Sequence, residues 1–196
     1  MENKYLLFMD VSGDIDVKVA EANDVRFIPM EYSIGDEMRL STSMESDEII
    51  KKFYNGQRGG DLTRTSQITP QKYEECVASV MQEGYSVLYL CLSSGLSSTF
   101  QSARMAQRNL KERFPEQDFL PIDSLAATGG MGVLMERAIR NRDKGMSVQE
   151  NYNDLANAAI TFVTGLWFRT LIISSAAGAS VLPLPWLVRC SMSSPS

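Results

Sequence analysis

Val87-Leu88-Tyr89-Leu90-Cys91-Leu92-Ser93-Ser94-Gly95-Leu96-Ser97-Ser98-Thr99-Phe100-Gln101-Ser102-Ala103 is the stretch around which the rest of the chain is organised. Residues 87–92 are apolar without alternation, which reads as a strand buried on both faces. The run empties into five serines and a threonine around one glycine. Phe100, Ala103, Ala106, Leu110 and Phe114 then line one face of a helix until Pro115 stops it. A strand, a hydroxyl-rich turn and a helix start suit an anion. Hydroxyls donate, freed backbone N–H groups donate, and the helix N-terminus adds positive potential.

Upstream, Tyr5 to Met9 is a second continuous apolar run, closed by Asp10-Val11-Ser12-Gly13-Asp14. Val25 to Met30 reads as one strand, Ile34-Gly35-Asp36-Glu37 as a turn, and Ser43 to Asn55 as a helix with Ile49, Ile50 and Phe53 on one side. Thr69-Pro70 is a helix start, a cap followed by proline in the first turn. Its helix carries Tyr73, Val77, Val80 and Met81 on one face and ends at Gly84. Ser98 to Gln101 has capping-box spacing, as has Ser147 to Glu150. Downstream, Phe119 to Ile122 is a short strand closed by Asp123-Ser124, Met131 to Ile139 a helix, and Ala159 to Val163 a final strand. Strand, helix and strand across the serine turn form a βαβ crossover, so the class is α/β with a mostly parallel sheet flanked by helices.

Composition narrows the function. The chain is 44% hydrophobic and 22% charged with a net charge of −5, and it has no basic run, so a nucleic-acid partner is not expected. Three widely spaced cysteines, Cys76, Cys91 and Cys190, fit neither a disulfide framework nor a zinc site and suit a reducing cytoplasm. No basic n-region precedes the first apolar run, so no signal peptide is expected. The absence of histidine removes Ser-His-Asp and Cys-His chemistry and histidine metal sites together. The glycines match neither a P-loop nor a dinucleotide fingerprint. No cofactor, metal site or catalytic residue is expected.

Loops at the carboxyl ends of parallel strands gather on one edge, where ligands bind. Four polar clusters belong there or at helix entries: Asp10/Ser12/Asp14, Thr65/Ser66, Ser93/Ser94 and Asp123/Ser124. Hydroxyls from two such loops can hold a carboxylate or a phosphate, each bond contributing roughly 1.5–3 kcal/mol when the acceptor is charged. Plainer roles compete. Ser98 reads as a helix cap, Ser97, Thr99 and Ser102 as turn and helix residues, Asp123-Ser124 as a turn, and the 11 methionines as core filling.

Residues 4 to about 164 resemble the DegV family of bacterial fatty-acid-binding proteins. The resemblance is carried by Asp10-Val11-Ser12-Gly13-Asp14-Ile15, Thr65-Ser66-Gln67-Ile68-Thr69-Pro70, Leu92 to Ala103 and Ile122-Asp123-Ser124, in order. Val11, Ile68, Ser98 and Phe100 depart from the family pattern, which has Ser, Pro, Gly and Tyr there. The resemblance implies a long-chain fatty acid whose carboxylate is held by Thr65 and by Ser93 or Ser94, with Ser66 beside them and Gly95, Ser97, Asp10 and Ser124 in supporting places. It implies presentation of that carboxylate to a fatty-acid kinase subunit, with no catalysis by the binding protein itself. Burying the tail would contribute about 0.8 kcal/mol per CH₂, so the tail supplies affinity and the hydroxyls fix the head. The runner-up is an α/β enzyme or kinase subunit binding a phosphorylated metabolite at the same edge. A serine hydrolase ranks behind both, for want of a histidine and a G-x-S-x-G elbow.

The family pattern continues into a second domain through a D-L-x-x-L-K-R-G-G-R-like motif, which is missing here. From Gly165 onward the chain has no Asp or Glu, and Thr170 to Val188 is uncharged. Its prolines and serines argue against a membrane span. With permitted codons, Thr170 to Ser196 re-reads in a neighbouring frame as D-L-D-H-L-K-R-G-G-R-V-S-A-A-T-A-L-V-G-T-M-L-N-V-K-P-V, placing R-G-G-R on Ala176 to Ala179. The expectation is a domain over 1–164, a frameshifted apolar tail over 165–196 in place of most of the second domain, and weak or no fatty-acid binding by this chain.

Overall fold

A computed structural model describes residues 4–42 and 47–161. The first strand, β1 (Tyr5–Asp10), is buried along its whole length, as the unalternated run requires. The short helix α1 (Val17–Ala22) follows, capped by Asp16, whose carboxylate accepts the Lys18 and Val19 N–H groups. Then come β2 (Val25–Ile28), β3 (Met30–Ile34) and β4 (Glu37–Ser41). The single strand expected over Val25–Met30 is thus two. Pro29, which lacks an N–H, interrupts the ladder between them.

The helix α2 (Asp47–Arg58) runs past the end expected at Asn55, and residues 43–46 of the expected helix lie outside the described residues. Strand β5 (Thr63–Thr65) leads into α3 (Pro70–Gln82), where Thr69 Oγ1 accepts the Lys72 N–H as expected of the cap. Strand β6 (Ser86–Cys91), again wholly buried, leads through the serine turn into α4 (Thr99–Arg113). Strand β7 (Phe119–Asp123) and α5 (Gly129–Asp143) complete the pattern, followed by a helix over residues 148–161, α6. Residues 159–161 of the final strand expected over Ala159–Val163 belong to that helix, and 162 and 163 lie outside the described residues. The Ser147–Glu150 box forms, with Glu150 Oε2 accepting the Ser147 N–H at 2.8 Å. Val148, Asn151, Leu155 and Ala159 then keep one buried helical face.

Two sheets result. The larger is four-stranded in the order β2-β1-β6-β7, parallel throughout. The smaller is antiparallel in the order β4-β3-β5, with a hairpin turn at Gly35 (φ 55°), a backbone setting that glycine adopts without strain. The sequence reading did not separate this small sheet. On one face of the parallel sheet Leu6, Phe8, Val87, Tyr89 and Phe119 pack with α3 and α4. On the other, Leu7, Met9, Leu88, Leu90 and Ile122 pack with α1, α5 and α6. Asn151 ties that second face to β1, its Nδ2 donating to Tyr5 Oη and to the Ala138 carbonyl, each at 2.9 Å.

Among the described residues no helix is long and apolar enough to cross a membrane. The division expected at 164/165 and the tail over 165–196 lie outside the described residues.

Candidate functional site

The chain leaves β1 toward β2 on one side, and β6 joins β1 on the other. The strand order therefore reverses between β1 and β6, the place where open α/β sheets keep their ligands. Asp10 ends β1 there, and Leu92, Ser93 and Ser94 follow β6 there. The loop from β7 to α5 closes the third side. Ser93 N–H donates to the Ala126 carbonyl at 3.0 Å, and Thr128 N–H donates to the Ser12 carbonyl at 3.1 Å.

That third loop is strained and locked. Leu125 (φ 51°) and Thr128 (φ 48°) hold left-handed backbone without being glycine. Such positions cost of order 1–3 kcal/mol each and persist where the surroundings fix them. Asp123 Oδ1 accepts the Leu125 N–H at 3.1 Å, while Ser124 Oγ both accepts the Ala126 N–H and donates to the Ala126 carbonyl. At the start of α5 a Cβ on Gly132 would lie 1.9 Å from the Asp14 carbonyl oxygen, so only glycine lets the two segments approach.

The serine turn satisfies its own backbone. Ser94 N–H donates to Asp123 Oδ1 at 3.0 Å, Gly95 N–H to Ser93 Oγ at 3.2 Å, and Leu96 and Ser97 N–H both to the Ser93 carbonyl. This corrects the expectation of freed backbone N–H groups for residues 94–97, whose N–H groups turn geometry consumes. Hydroxyls remain beside the helix entry. The side-chain oxygens of Ser94, Thr65 and Ser66 have no hydrogen-bond partner among the described residues, and Ser93 Oγ keeps its proton to donate. A second correction concerns the cap of α4. Ser98 makes no side-chain cap; Ser97 Oγ accepts the Thr99 N–H at 3.2 Å and shares a hydrogen bond with Thr99 Oγ1 at 2.7 Å.

The structure thus gathers Asp10, Ser93, Ser94, Gly95, Ser97 and Ser124 on one sheet edge. Asp10, Ser93 and Ser124 are buried, and Ser124 serves its own turn. Thr65 and Ser66 come from the small sheet and are exposed. Gln67, whose role the sequence reading missed, links the groups. Its Nε2 donates to the Ser98 carbonyl at 3.2 Å and to Ser102 Oγ at 2.7 Å.

Thr65 also stands on the wall of a chamber of about 440 Å³, lined by Val11, Met30, Tyr32, Ile49, Phe53 and Tyr54 among others. Its volume falls in the range of small-molecule sites, roughly 300–1,000 Å³. Val11 lies beside Asp10, so the chamber reaches the end of β1. Arg64 lines the same chamber and makes no ion pair among the described residues.

Beneath the turn lies a buried polar chain that the apolar appearance of residues 87–92 conceals. Asp10 Oδ2 accepts the Leu92 N–H at 2.6 Å, Asp10 Oδ1 shares a hydrogen bond with the Tyr89 hydroxyl, and Tyr89 meets the Tyr73 hydroxyl at 2.9 Å. Burial pushes the Asp10 carboxyl up from its ordinary range, and bonds from Tyr89, the Leu92 N–H and the Cys91 side chain offset that only in part. Burial likewise raises Tyr89, Tyr73 and Cys91, with the neighbouring Asp10 adding to each. No group of three or more Cys, Asp or Glu among the described residues could hold a metal ion.

A family model described as "Uncharacterised protein, DegV family" matches residues 4–169. A DegV domain-containing protein of Clostridium acetobutylicum is 36% identical over 168 residues, which are 86% of this chain and 58% of that protein. Among solved structures, a hypothetical protein from Thermotoga maritima, reported to reveal fatty acid binding function, aligns with a TM-score of 0.66 at 25% identity. It covers 79% of this chain and 54% of that one. The B3 protein of the Streptococcus pneumoniae fatty acid kinase, solved loaded with linoleic acid, shares the fold with a TM-score of 0.64 at 18% identity, covering 80% and 54%. The chain spans about half the length of the curated relatives it matches.

Proposed function

Because this chain belongs to the DegV family, we propose that it binds a long-chain fatty acid, holding the carboxylate with the hydroxyls of Thr65, Ser93 and Ser94 and the tail against apolar walls. The observation that carries this reading is the 440 Å³ chamber with Thr65 on its wall and an otherwise largely apolar lining. A hydroxyl on the wall of a largely apolar chamber matches a ligand with one polar head and a long hydrocarbon tail. Ser66 adjoins Thr65, and Gln67 draws both toward the start of α4. Ser97, Gly95, Ser124 and Asp10 shape the turn that presents Ser93 and Ser94.

In this reading the protein is a carrier and not an enzyme, and it works in the bacterial cytoplasm. It presents the bound carboxylate to a fatty-acid kinase partner, a role supported by the likeness to the kinase B3 protein. The unpaired Cys76 and Cys91 thiols suit a reducing compartment.

Extraction of the purified chain with organic solvent, followed by mass spectrometry, tests the reading. A long-chain fatty acid in the extract is the expected result. An extract without lipid, together with binding of phosphate esters, would overturn it in favour of an enzyme that takes a phosphorylated metabolite.

A further inference from the structure

Asp10 is 2% exposed, at the carboxyl end of β1. The groups that bear on it are Tyr89 and Cys91 from β6 and the Leu92 N–H, with Tyr73 of α3 behind Tyr89. None is a cation. From β7, Asp123 faces the other side of the turn and already places a carboxylate on the Ser94 N–H. The residue after Leu92 is Ser93, so the turn enters its hydroxyl-bearing segment suspended from two hydrogen bonds: Leu92 to Asp10 and Ser93 to Ala126.

We propose that Asp10 is the positioning residue of the anion site, fixing the Ser93–Ser94 hydroxyls through the Leu92 N–H as a neutral acid, so that a negative charge on Asp10 and a negative head group at the turn exclude one another. The proposal rests on the reading that the turn takes a carboxylate. A buried carboxylate with no counter-ion is costly, and two such charges a residue or two apart in a poorly solvated edge repel strongly. Sharing a proton with Tyr89, and through it with Tyr73, lets Asp10 keep its bond to Leu92 without that charge. The direction in which burial moves Asp10 agrees. Linkage makes the coupling reciprocal: ionising Asp10 weakens anion binding by the factor by which the bound anion disfavours ionisation.

The test uses the full chain, with stearate as the probe and stearyl alcohol as its uncharged counterpart. Dissociation constants are measured from mildly acidic to mildly alkaline pH for wild type, Asp10→Asn and Asp10→Leu. Asn keeps an acceptor for Leu92 and a donor for Tyr89 and cannot ionise. Its stearate affinity should therefore track wild type at acidic pH and exceed it by about tenfold at alkaline pH, within the usual span of such couplings. The titration of the ligand is common to both and cancels in the ratio. Asp10→Leu, which removes the acceptor, should weaken stearate far more than stearyl alcohol. Parallel pH profiles for wild type and Asp10→Asn would overturn the proposal even if the Leu variant fails to fold. Equal loss of stearate and alcohol in a folded Leu variant would reduce Asp10 to a structural role and overturn it as well. If wild type binds no stearate at any pH, the carboxylate reading fails and takes this proposal with it, an outcome distinct from parallel profiles.

Discussion

Gln67 Nε2 donates to Ser102 Oγ across 2.7 Å, joining residues 35 apart in sequence and pinning the end of the small sheet to the first turn of α4. The segment that carries Thr65 and Ser66 is thereby tied to the helix start that follows Ser93 and Ser94. Replacing Gln67 with Ala should cost about 1 kcal/mol in urea unfolding, because the buried Ser102 hydroxyl loses its partner. Stearate affinity should fall alongside. Unchanged affinity in a destabilised variant would show that the clamp serves stability alone.

The cap of α4 offers a paired comparison. Ser97→Ala removes the acceptor of the Thr99 N–H and the partner of Thr99 Oγ1, and should cost about 1 kcal/mol. Ser98→Ala, whose side chain caps nothing, should be close to neutral. Thermal unfolding of the two variants distinguishes them, and a larger loss at Ser98 would contradict the described geometry.

Two carboxyls should shape the pH dependence of stability in opposite ways. The folded-state pKa of Asp10 is raised, so its contribution is fully present below the ordinary carboxyl value of 3.8 and is lost as pH rises through the elevated one. The stability of Asp10→Asn relative to wild type should therefore grow with pH. Asp154 is pulled down to about 2, chiefly by its paired hydrogen bonds from Arg137 and then by Asn141. Its contribution is present above the ordinary value and is lost as pH falls through about 2. Asp154→Asn should therefore be less stable than wild type at neutral pH, with the gap closing in strong acid. Urea unfolding at a series of pH values reads both.

Much of this was legible in the chain. Unalternated runs at Tyr5–Met9 and Val87–Leu92 gave the central pair of parallel strands, and Thr69-Pro70 and Ser147–Glu150 marked helix starts that the structure realises. The small antiparallel sheet was hidden because its strands alternate weakly and Pro29 had to be weighed as a break. Residues around Ala159 read as a strand because a short apolar run has no period of its own, whereas the preceding cap commits them to helix. The hydroxyls of the site announced themselves by composition. The satisfied backbone of the turn did not, because Asp123 and Ala126 reach it from the end of β7 and the loop after it. Nor did the role of Tyr89, which sits in an apolar run and reveals its polar end only when Asp10 lies beside it.

The central claim is that the hydroxyls of Thr65 and Ser94 hold a carboxylate, and Thr65→Val and Ser94→Ala test it most directly. Each removes a hydroxyl that has no hydrogen-bond partner among the described residues, so neither should disturb the fold. Titration with stearate and with stearyl alcohol should show each variant losing roughly 1.5–3 kcal/mol, about tenfold or more, toward the acid, and little toward the alcohol. Stearate affinities equal to wild type in both variants would contradict the account.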